Sequence, residues 1–372
     1  MLDVNIVGGG VIGLSIAYEL AHQGLSVAVF DRQQFGQEAS WAGAGMLPPA
    51  DIQAAATPGL QLRAASRLMW PEWSNRLKEE SGVDNGFVNC GGFHVALSEE
   101  MPGWQDYVSE WRQAGVVLEE YEPRLLQEQA PFLSPEIQSA FYLPEMSQVR
   151  NPRHLKALLL ACAKQGVQFH PGTPIIGFEQ KGARVTGVRT STEIHRAGRT
   201  VIAGGAWSPE VLSQLGIGCD LVPIQGQIVL LSMTRLPFHQ VIECGSRYLV
   251  PRSDGRILIG STESNVGFNK QNTAEGVGGL IQFAESVVPC LKKATFERAW
   301  AGLRPKSIDG LPYLGHVAGY ENLLMAAGHY RDGLQLSPIT AKLMRQLICE
   351  EEIELSLEPF ACSRGIRDCE ER

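Results

Sequence analysis

The stretch that decides the fold is VGGGVIGLSIAYELAHQGLSVAVFDR, which occupies residues 7–32. Residues 4–7 (VNIV) are apolar except for Asn5 and predict a short buried strand that runs into consecutive glycines. Residues 11–23 carry apolar side chains at helical spacing, and residues 26–30 form a second apolar, β-branched run that ends at Asp31. This order of strand, helix and strand within about 30 residues predicts a βαβ unit with parallel strands.

The glycines of this unit have the spacing of a dinucleotide-binding turn. Gly8 permits the tight bend, Gly10 lets the backbone approach a pyrophosphate, and Gly13 allows the helix to pack closely on the strand. The helix N-terminus offers free N–H groups to the phosphates. Asp31 lies where a carboxylate holds ribose hydroxyls, and its charge disfavours NADP. The motif predicts NAD or FAD binding, and the structural alternative is a merely tight βα turn.

The bulk composition limits the classes of function. The length of 372 residues predicts two domains, and the net charge of −8 argues against a nucleic-acid partner. Eight cysteines are scattered without a C-x-x-C pair, so we expect no metal site. The sequence has neither a signal peptide nor an apolar run of about 20 residues, so we expect a cytoplasmic protein without stable membrane association.

Beyond the βαβ unit, helical and strand-like segments alternate. Residues 35–60, rich in Gly, Ala and Pro, predict a loop, and residues 60–81 and 152–165 predict helices. Strand-like runs dominate residues 223–262. The alternation predicts an α/β domain interrupted by insertions that are mainly antiparallel sheet.

Several further segments resemble the FAD-dependent D-amino-acid oxidase superfamily, and within it most of all the glycine oxidases of the thiamine pathway. The pattern of residues 300–315 and 326–338 is the most specific, whereas residues 7–32 are similar to many flavoproteins and NAD enzymes. The segments beyond residue 32 are EASWAGAGML (38–47), TVIAGGAWS (200–208), RYLVPRSDGRILIGST (247–262), WAGLRPKSIDGLPYLG (300–315) and AAGHYRDGLQLSP (326–338).

The resemblance implies a two-domain architecture and a cofactor. We expect a Rossmann-like FAD-binding domain of residues 1–82, 146–218 and 305–372. A mainly antiparallel-sheet substrate-binding domain, residues 83–145 and 219–304, would be inserted into it. Relatives with covalent flavin supply a cysteine near the flavin edge, and residues 300–315 contain none, so we expect non-covalent FAD.

The resemblance also implies which residues contact FAD. Ile175 matches a strand residue whose backbone meets the adenine, and residues 329–335 match a loop and helix start beneath the flavin pyrimidine ring. A helix N-terminus there would stabilise negative charge on reduced flavin. The full expected set is Gly8, Gly10, Val11, Ile12, Gly13, Asp31, Arg32, Ala39, Ser40, Ala44, Gly45, Met46, Ile175, Gly204, His329, Tyr330, Arg331, Asp332, Gly333, Leu334 and Gln335.

Three residues match the family's substrate site. Arg304 would pair bidentately with the substrate carboxylate, Tyr248 would hydrogen-bond the same group, and Arg331 would lie close to the ligand. Without the resemblance, Arg304 would be interpreted as part of a surface salt bridge. Two positions depart from the family: Ser246 replaces a histidine, and Glu263 replaces a methionine. Glu263 would either attract a substrate ammonium or face solvent.

The resemblance implies oxidative deamination of glycine and small amines, including sarcosine and D-alanine. A hydride would pass from the substrate Cα to flavin N5, the imine would hydrolyse, and dioxygen would reoxidise the flavin to give hydrogen peroxide. A homo-oligomer, dimer or tetramer, is the family habit. The alternatives are a D-amino-acid dehydrogenase that passes electrons to a membrane quinone and a non-catalytic FAD-binding protein.

Overall fold

The computed structural model describes residues 1–368. Its helices are α1 (Val11–His22), α2 (Ala39–Ala42), α3 (Pro58–Ser81), α4 (Trp104–Gln113), α5 (Pro123–Gln129), α6 (Asn151–Lys164), α7 (Ser208–Ser213), α8 (Ala274–Val287) and α9 (Ser337–Ile348). Its strands are β1 (Leu2–Val7), β2 (Val27–Phe30), β3 (Met46–Leu47), β4 (Val88–Asn89), β5 (Gly92–Ala96), β6 (Glu119–Tyr121), β7 (Ser139–Leu143), β8 (Ser147–Gln148), β9 (Gln168–His170), β10 (Gly177–Lys181), β11 (Arg184–Arg189), β12 (Ile194–Ile202), β13 (Ile217–Cys219), β14 (Val222–Ser232), β15 (Val241–Cys244), β16 (Arg247–Pro251), β17 (Arg256–Gly260), β18 (Thr295–Lys306), β19 (Tyr313–His316), β20 (Leu323–Ala327) and β21 (Ile366–Asp368).

The first large sheet is parallel at its centre. β1 pairs in parallel with β2 and β12, β2 with β9, and β12 with β20. The register places Val7 beside Phe30 on one side and Ile202 on the other. The carboxyl ends of these three strands therefore lie at one edge of the sheet, where open α/β sheets bind ligands.

Helices cover one face of this sheet with their apolar sides. Ile6 of β1, Leu14 of α1, Leu158 of α6 and Ile339 of α9 are fully buried in one cluster. Trp70 of α3 joins the same cluster. This packing fixes the position of α1, and with it the turn between β1 and α1.

The second large sheet has the order β18-β14-β17-β16-β15-β5-β7-β6. Its pairs are antiparallel except for β5 and β15, which run in parallel. Side chains alternate between the two faces as period-2 strands require. Ile242 and Leu249 pack in the cluster that includes Phe283 of α8, whereas Tyr248 packs on the opposite face, in a cluster that includes Ala44. This second face therefore meets the segment that follows β2.

The structure corrects several expectations about local elements. Residues 35–60 are not loop throughout, because they contain α2, β3 and the start of α3. Ile175 is not in a strand, since β10 begins only at Gly177. The sheets draw on the segments expected of the two domains, and the domain boundaries stay a prediction. Within residues 1–368, no helix combines the length and the apolar character that crossing a membrane requires.

Candidate active site

A cavity of about 880 Å³ is lined by residues of both large sheets. It extends from the turn between β1 and α1 to the side chains of Tyr248 and Arg304. All of the residues expected to contact cofactor or substrate line it except Gly13. The structure thus brings these widely separated residues to one place.

The turn between β1 and α1 leaves no room for side chains. A Cβ on Gly13 would overlap the carbonyl oxygen of Gly8, and a Cβ on Gly8 would overlap the backbone of Ala203 at the end of β12. Gly8 also has a φ of +116°, which L side chains rarely adopt. Gly13 therefore lies behind the cavity wall and acts through packing. The N-cap residue Gly10 of α1 has no side chain, and Val11 N–H donates to Ser40 Oγ at 2.9 Å, so the other N–H groups of the first turn suit an anion such as a pyrophosphate.

Asp31 follows β2 at the same edge of the sheet. Its Oδ2 accepts a hydrogen bond from Gly9 N–H at 2.8 Å, and its Oδ1 accepts one from Gln33 N–H at 2.9 Å. Burial raises the pKa of this carboxyl, and the two N–H donors oppose that effect. The adjacent Arg32 lies 3.7 Å from the ring centre of Trp207. This end of the cavity offers a fixed carboxylate and a stacked guanidinium to a nucleoside.

The segment that contains Ser40, Ala44 and Gly45 is held from outside the cavity. The buried guanidinium of Arg252 donates to the carbonyl of Ala44 at 2.5 Å and to Gln148 Oε1 at 2.7 Å. A Cβ on Gly45 would overlap the carbonyl of Val149. Small residues thus face the cavity because the backbone itself forms the wall.

The segment 329–336, which is expected to lie beneath the flavin, is also held by neighbours. Ser66 Oγ and Trp70 Nε1 of α3 both donate to the carbonyl of Gln335, at 2.6 and 2.9 Å. Arg63 of the same helix donates to Asp332 Oδ2 at 2.6 Å. α3 thereby fixes the conformation of this segment, although none of these contacts could be read from the motif.

Residues 329–335 form mostly turns, and α9 begins directly after them at Ser337, where the sequence predicts a helix. His329 is buried, and its Nε2 lies 3.0 Å from Thr340 Oγ1. Burial lowers the pKa of His329 to about 3, so its imidazole is neutral. Ile175 lines the cavity from an irregular segment, and its carbonyl accepts from Gln214 Nε2 at 3.0 Å.

Arg304 and Tyr248 reach the cavity from β18 and β16. Arg304 Nη2 donates to Ser261 Oγ at 2.5 Å, and among the described residues its guanidinium has no carboxylate partner. The interpretation as a surface salt bridge is therefore wrong. A Cβ on Gly226 would overlap the Arg304 guanidinium, and one on Gly260 would overlap the Tyr248 ring. Burial raises the pKa of Tyr248, which keeps its hydroxyl protonated as a donor.

Arg331 lines the cavity but is already paired. Its Nη2 donates to Glu263 Oε2, and the hydroxyl of Tyr330 donates to Glu263 Oε1. The hydrogen bond from Tyr330 and then that from Arg331 lower the pKa of Glu263. Glu263 therefore neutralises Arg331, and because 39% of its side-chain surface is exposed, it also faces solvent, as the second of its two interpretations expected.

Sequence reasoning missed a group of cavity-lining residues on β15 and α4: Glu243, Tyr107, Glu110 and Trp111. The signals were present. Trp104, Tyr107 and Trp111 recur at helical spacing, and Glu243 is an acid within the apolar run VIEC. Within the described residues, no group of three His, Cys, Asp or Glu side chains is arranged to hold a metal ion.

Comparison with known proteins places this site in a family. The model of the FAD dependent oxidoreductase (DAO) family matches residues 3–347. Glycine oxidase from Pseudomonas putida is 35% identical over 362 residues, which cover 96% of this chain and 98% of that enzyme. The bifunctional protein ThiO/ThiG of Trichormus variabilis is 34% identical over 97% of this chain and 55% of its own length.

The crystal structure of glycine oxidase from Geobacillus kaustophilus matches with a TM-score of 0.92 and 32% identity, over 98% of this chain and 99% of that one. These findings confirm the expected resemblance to glycine oxidases and the α/β fold. The cofactor is FAD, as expected. The chain belongs to the FAD dependent oxidoreductase (DAO) family and is an FAD-dependent amino-acid oxidoreductase.

Proposed function

We propose that this protein oxidatively deaminates glycine and small amines such as sarcosine and D-alanine. The observation that carries the proposal is the Arg304 guanidinium, which lacks a carboxylate partner among the described residues and lines the same cavity as Tyr248. A guanidinium held open in this way suits a ligand carboxylate, which it would bind through two parallel hydrogen bonds.

The chain's own residues bind and orient the substrate. Arg304 holds the substrate carboxylate, and the hydroxyl of Tyr248 donates a hydrogen bond to the same group. FAD, when bound, supplies the acceptor for the hydride that leaves the substrate Cα. The protein contributes positioning, because a carboxylate fixed at one point restricts the Cα to a small volume.

The finer assignments belong to the same proposal. The names of the relatives from Pseudomonas putida and Trichormus variabilis support a substrate such as glycine and a place in thiamine biosynthesis. Dioxygen as electron acceptor, hydrogen peroxide as product, non-covalent FAD, the individual FAD contacts, the division into two domains, a homo-oligomeric assembly and a cytoplasmic location are also parts of it.

The test is anaerobic mixing of the purified holoprotein with glycine, sarcosine or D-alanine, followed by admission of air. We expect the absorbance of oxidised FAD to bleach and then to recover with formation of peroxide. Bleaching without recovery in air would favour the dehydrogenase that passes electrons to a quinone. Absence of bleaching with all three compounds would overturn the small-amine assignment.

A further inference from the structure

Around the buried His94 lies a cluster of side chains that the proposed chemistry does not use. The hydroxyl of Tyr107 lies 2.6 Å from His94 Nδ1, and Glu243 Oε1 lies 3.6 Å from His94 Nε2. The ring centre of Trp111 is 5.1 Å from that of His94. Tyr107, Trp111 and Glu243 all line the cavity that contains Arg304, whereas His94 lies behind them.

The sheet register places this cluster beside the substrate tyrosine. Glu243 of β15 is the direct cross-strand partner of Tyr248 on β16, and on its other side it is paired with His94 of β5. Directly paired residues project to the same face of a sheet, with Cβ atoms about 5 Å apart. Glu243 therefore adjoins Tyr248 on the side away from Arg304, which is on the edge strand β18.

Within residues 1–368, no Lys or Arg side chain forms an ion pair with the Glu243 carboxylate. His94 is buried, and burial lowers its pKa to about 3, so it carries no positive charge at neutral pH. Burial raises the pKa of Glu243, and the positive charge of Arg331 opposes this shift. Arg331, however, is already paired with Glu263. Glu243 keeps 19% of its side-chain surface open, on the cavity side. A buried carboxylate without a partner is costly unless a ligand supplies the missing charge.

We propose that Glu243, together with Tyr107 and Trp111, forms a subsite that binds a positively charged amine nitrogen. A carboxylate supplies charge-assisted hydrogen-bond acceptors, and aromatic faces add cation–π attraction. The cavity then presents opposite charges on its two sides, with Arg304 for a carboxylate and Glu243 for an ammonium group. This inference rests on the proposed function for the assignment of Arg304, but the cation subsite itself has an independent readout.

Two nitrogen atoms could satisfy this chemistry. One is the α-nitrogen of the amino acid that is oxidised, and the other is a side-chain nitrogen farther from the α-carboxylate. The isosteric variant Glu243→Gln separates the two, because it removes the charge and keeps the shape. Glu100→Gln is the matched control. Glu100 lies against Gly245, in the turn between β15 and β16, and it does not line the cavity.

The first measurement compares binding of 6-aminohexanoate and hexanoate to the holoprotein by calorimetry and by the perturbation of the FAD spectrum. Hexanoate lacks only the terminal ammonium group. The second compares kcat and KM for glycine, D-lysine and D-norleucine in the wild type and both variants. A hydrogen bond to a charged group corresponds to roughly a 10- to 100-fold change in affinity.

We expect Glu243→Gln to bind the ammonium-bearing ligand roughly 10- to 100-fold more weakly than the wild type does, and Glu100→Gln to keep wild-type affinity. A loss confined to 6-aminohexanoate and D-lysine would identify the side-chain nitrogen as the ligand. An equal rise in KM for all three amino acids, with unchanged hexanoate binding, would identify the α-nitrogen. Wild-type values for every compound in Glu243→Gln would overturn the subsite. If no amino acid bleaches the wild-type flavin, the proposed function fails, and 6-aminohexanoate binding still decides the subsite.

Discussion

The two ends of the cavity are built in different ways. At the dinucleotide end, which is expected to hold the dinucleotide, part of the wall is backbone from one short stretch that contains Gly8, Gly10 and Val11, along the turn between β1 and α1. The opposite end contains Arg304 and Tyr248 and is proposed to bind the amine. At this amine end the wall is made of side chains from distant strands. Arg304 and Tyr248 are separated by more than fifty residues of sequence and meet only through the antiparallel sheet.

This difference teaches which changes each end tolerates. A backbone wall fails when any side chain intrudes, because neighbouring backbone cannot move aside cheaply. A wall of side chains fails in graded steps, since each group contributes its own hydrogen bonds and charge. Cofactor binding and substrate binding should therefore be separable by mutation.

The largest effect is expected from Gly13→Ala. The added Cβ overlaps the carbonyl oxygen of Gly8 and forces the turn away from the cavity. We expect the variant to purify without bound FAD, which absorbance of the purified protein checks. Gly279→Ala in α8 is the matched control, because a Cβ there meets nothing within 4 Å. A Gly13→Ala protein that retains FAD with wild-type affinity would contradict the backbone-wall account.

The next largest effect is expected from Arg304→Ala. Loss of a charge-assisted partner of the substrate carboxylate should lower kcat/KM for glycine by roughly 10²- to 10³-fold. FAD should remain bound, because Arg304 belongs to the amine end. Arg298→Ala, another arginine on β18, serves as the control, since its guanidinium lies over Trp41 and Trp300. Steady-state kinetics with unchanged kcat/KM would remove Arg304 from the site.

A pH-dependent stability effect is expected from Glu243→Gln. Burial raises the pKa of Glu243 from 4.5 to about 7, so the folded protein holds this proton more tightly than the unfolded chain does. Stability should therefore fall as pH rises between these values, by up to about 3 kcal/mol. The groups facing this carboxyl are His94, Tyr107, Tyr248 and Arg331.

Glu243→Gln removes the free-energy cost of ionising a buried carboxyl. We expect Glu243→Gln to be more stable than wild type at pH 8 and close to it at pH 4.5, in urea unfolding with FAD in constant excess. Glu100→Gln should not show this dependence. The same stability difference at both pH values would show that the buried charge is not its cause.

The smallest effect is expected from Gly226→Ala. Its Cβ overlaps the guanidinium of Arg304, a flexible side chain that can shift rather than a rigid backbone. We expect KM for glycine to rise about tenfold, with FAD retained and kcat little changed. Gly278→Ala, where a Cβ meets nothing within 4 Å, is the control. Loss of FAD in Gly226→Ala would mean that the two ends of the cavity are coupled.

The dinucleotide end was largely predictable because local spacing specifies it. Residues 7–32 contain the strand, the glycine turn, the helix and the acid in contiguous order, and short-range sterics determine how they fold. The errors occur where tertiary contacts decide local conformation, as at Ile175, which lies ahead of β10 in an irregular segment. Likewise, the side-chain hydrogen bonds by which α3 holds Gln335 and Asp332 could not be predicted from the motif.

The amine end was predictable only where the family resemblance supplied residues. Arg304 and Tyr248 lie on strands whose pairing cannot be derived from either strand alone. Glu243 was missed although it interrupts the apolar run VIEC, because this local signal does not tell whether the acid faces a cavity or solvent. Likewise, the pairing of Glu263 with Arg331 follows from loops that meet only in the folded chain.

The sequence by itself determined the βαβ unit, the dinucleotide class and, through the resemblance, the residues to expect around FAD. Tertiary structure alone decided that Arg304 lacks a carboxylate partner among the described residues, that Glu263 neutralises Arg331, and that Glu243 adjoins Tyr248. The physical reason is the distance along the chain over which each kind of interaction acts. Backbone sterics act over a few residues, whereas charge balance and burial depend on groups that only sheet register and domain packing bring together.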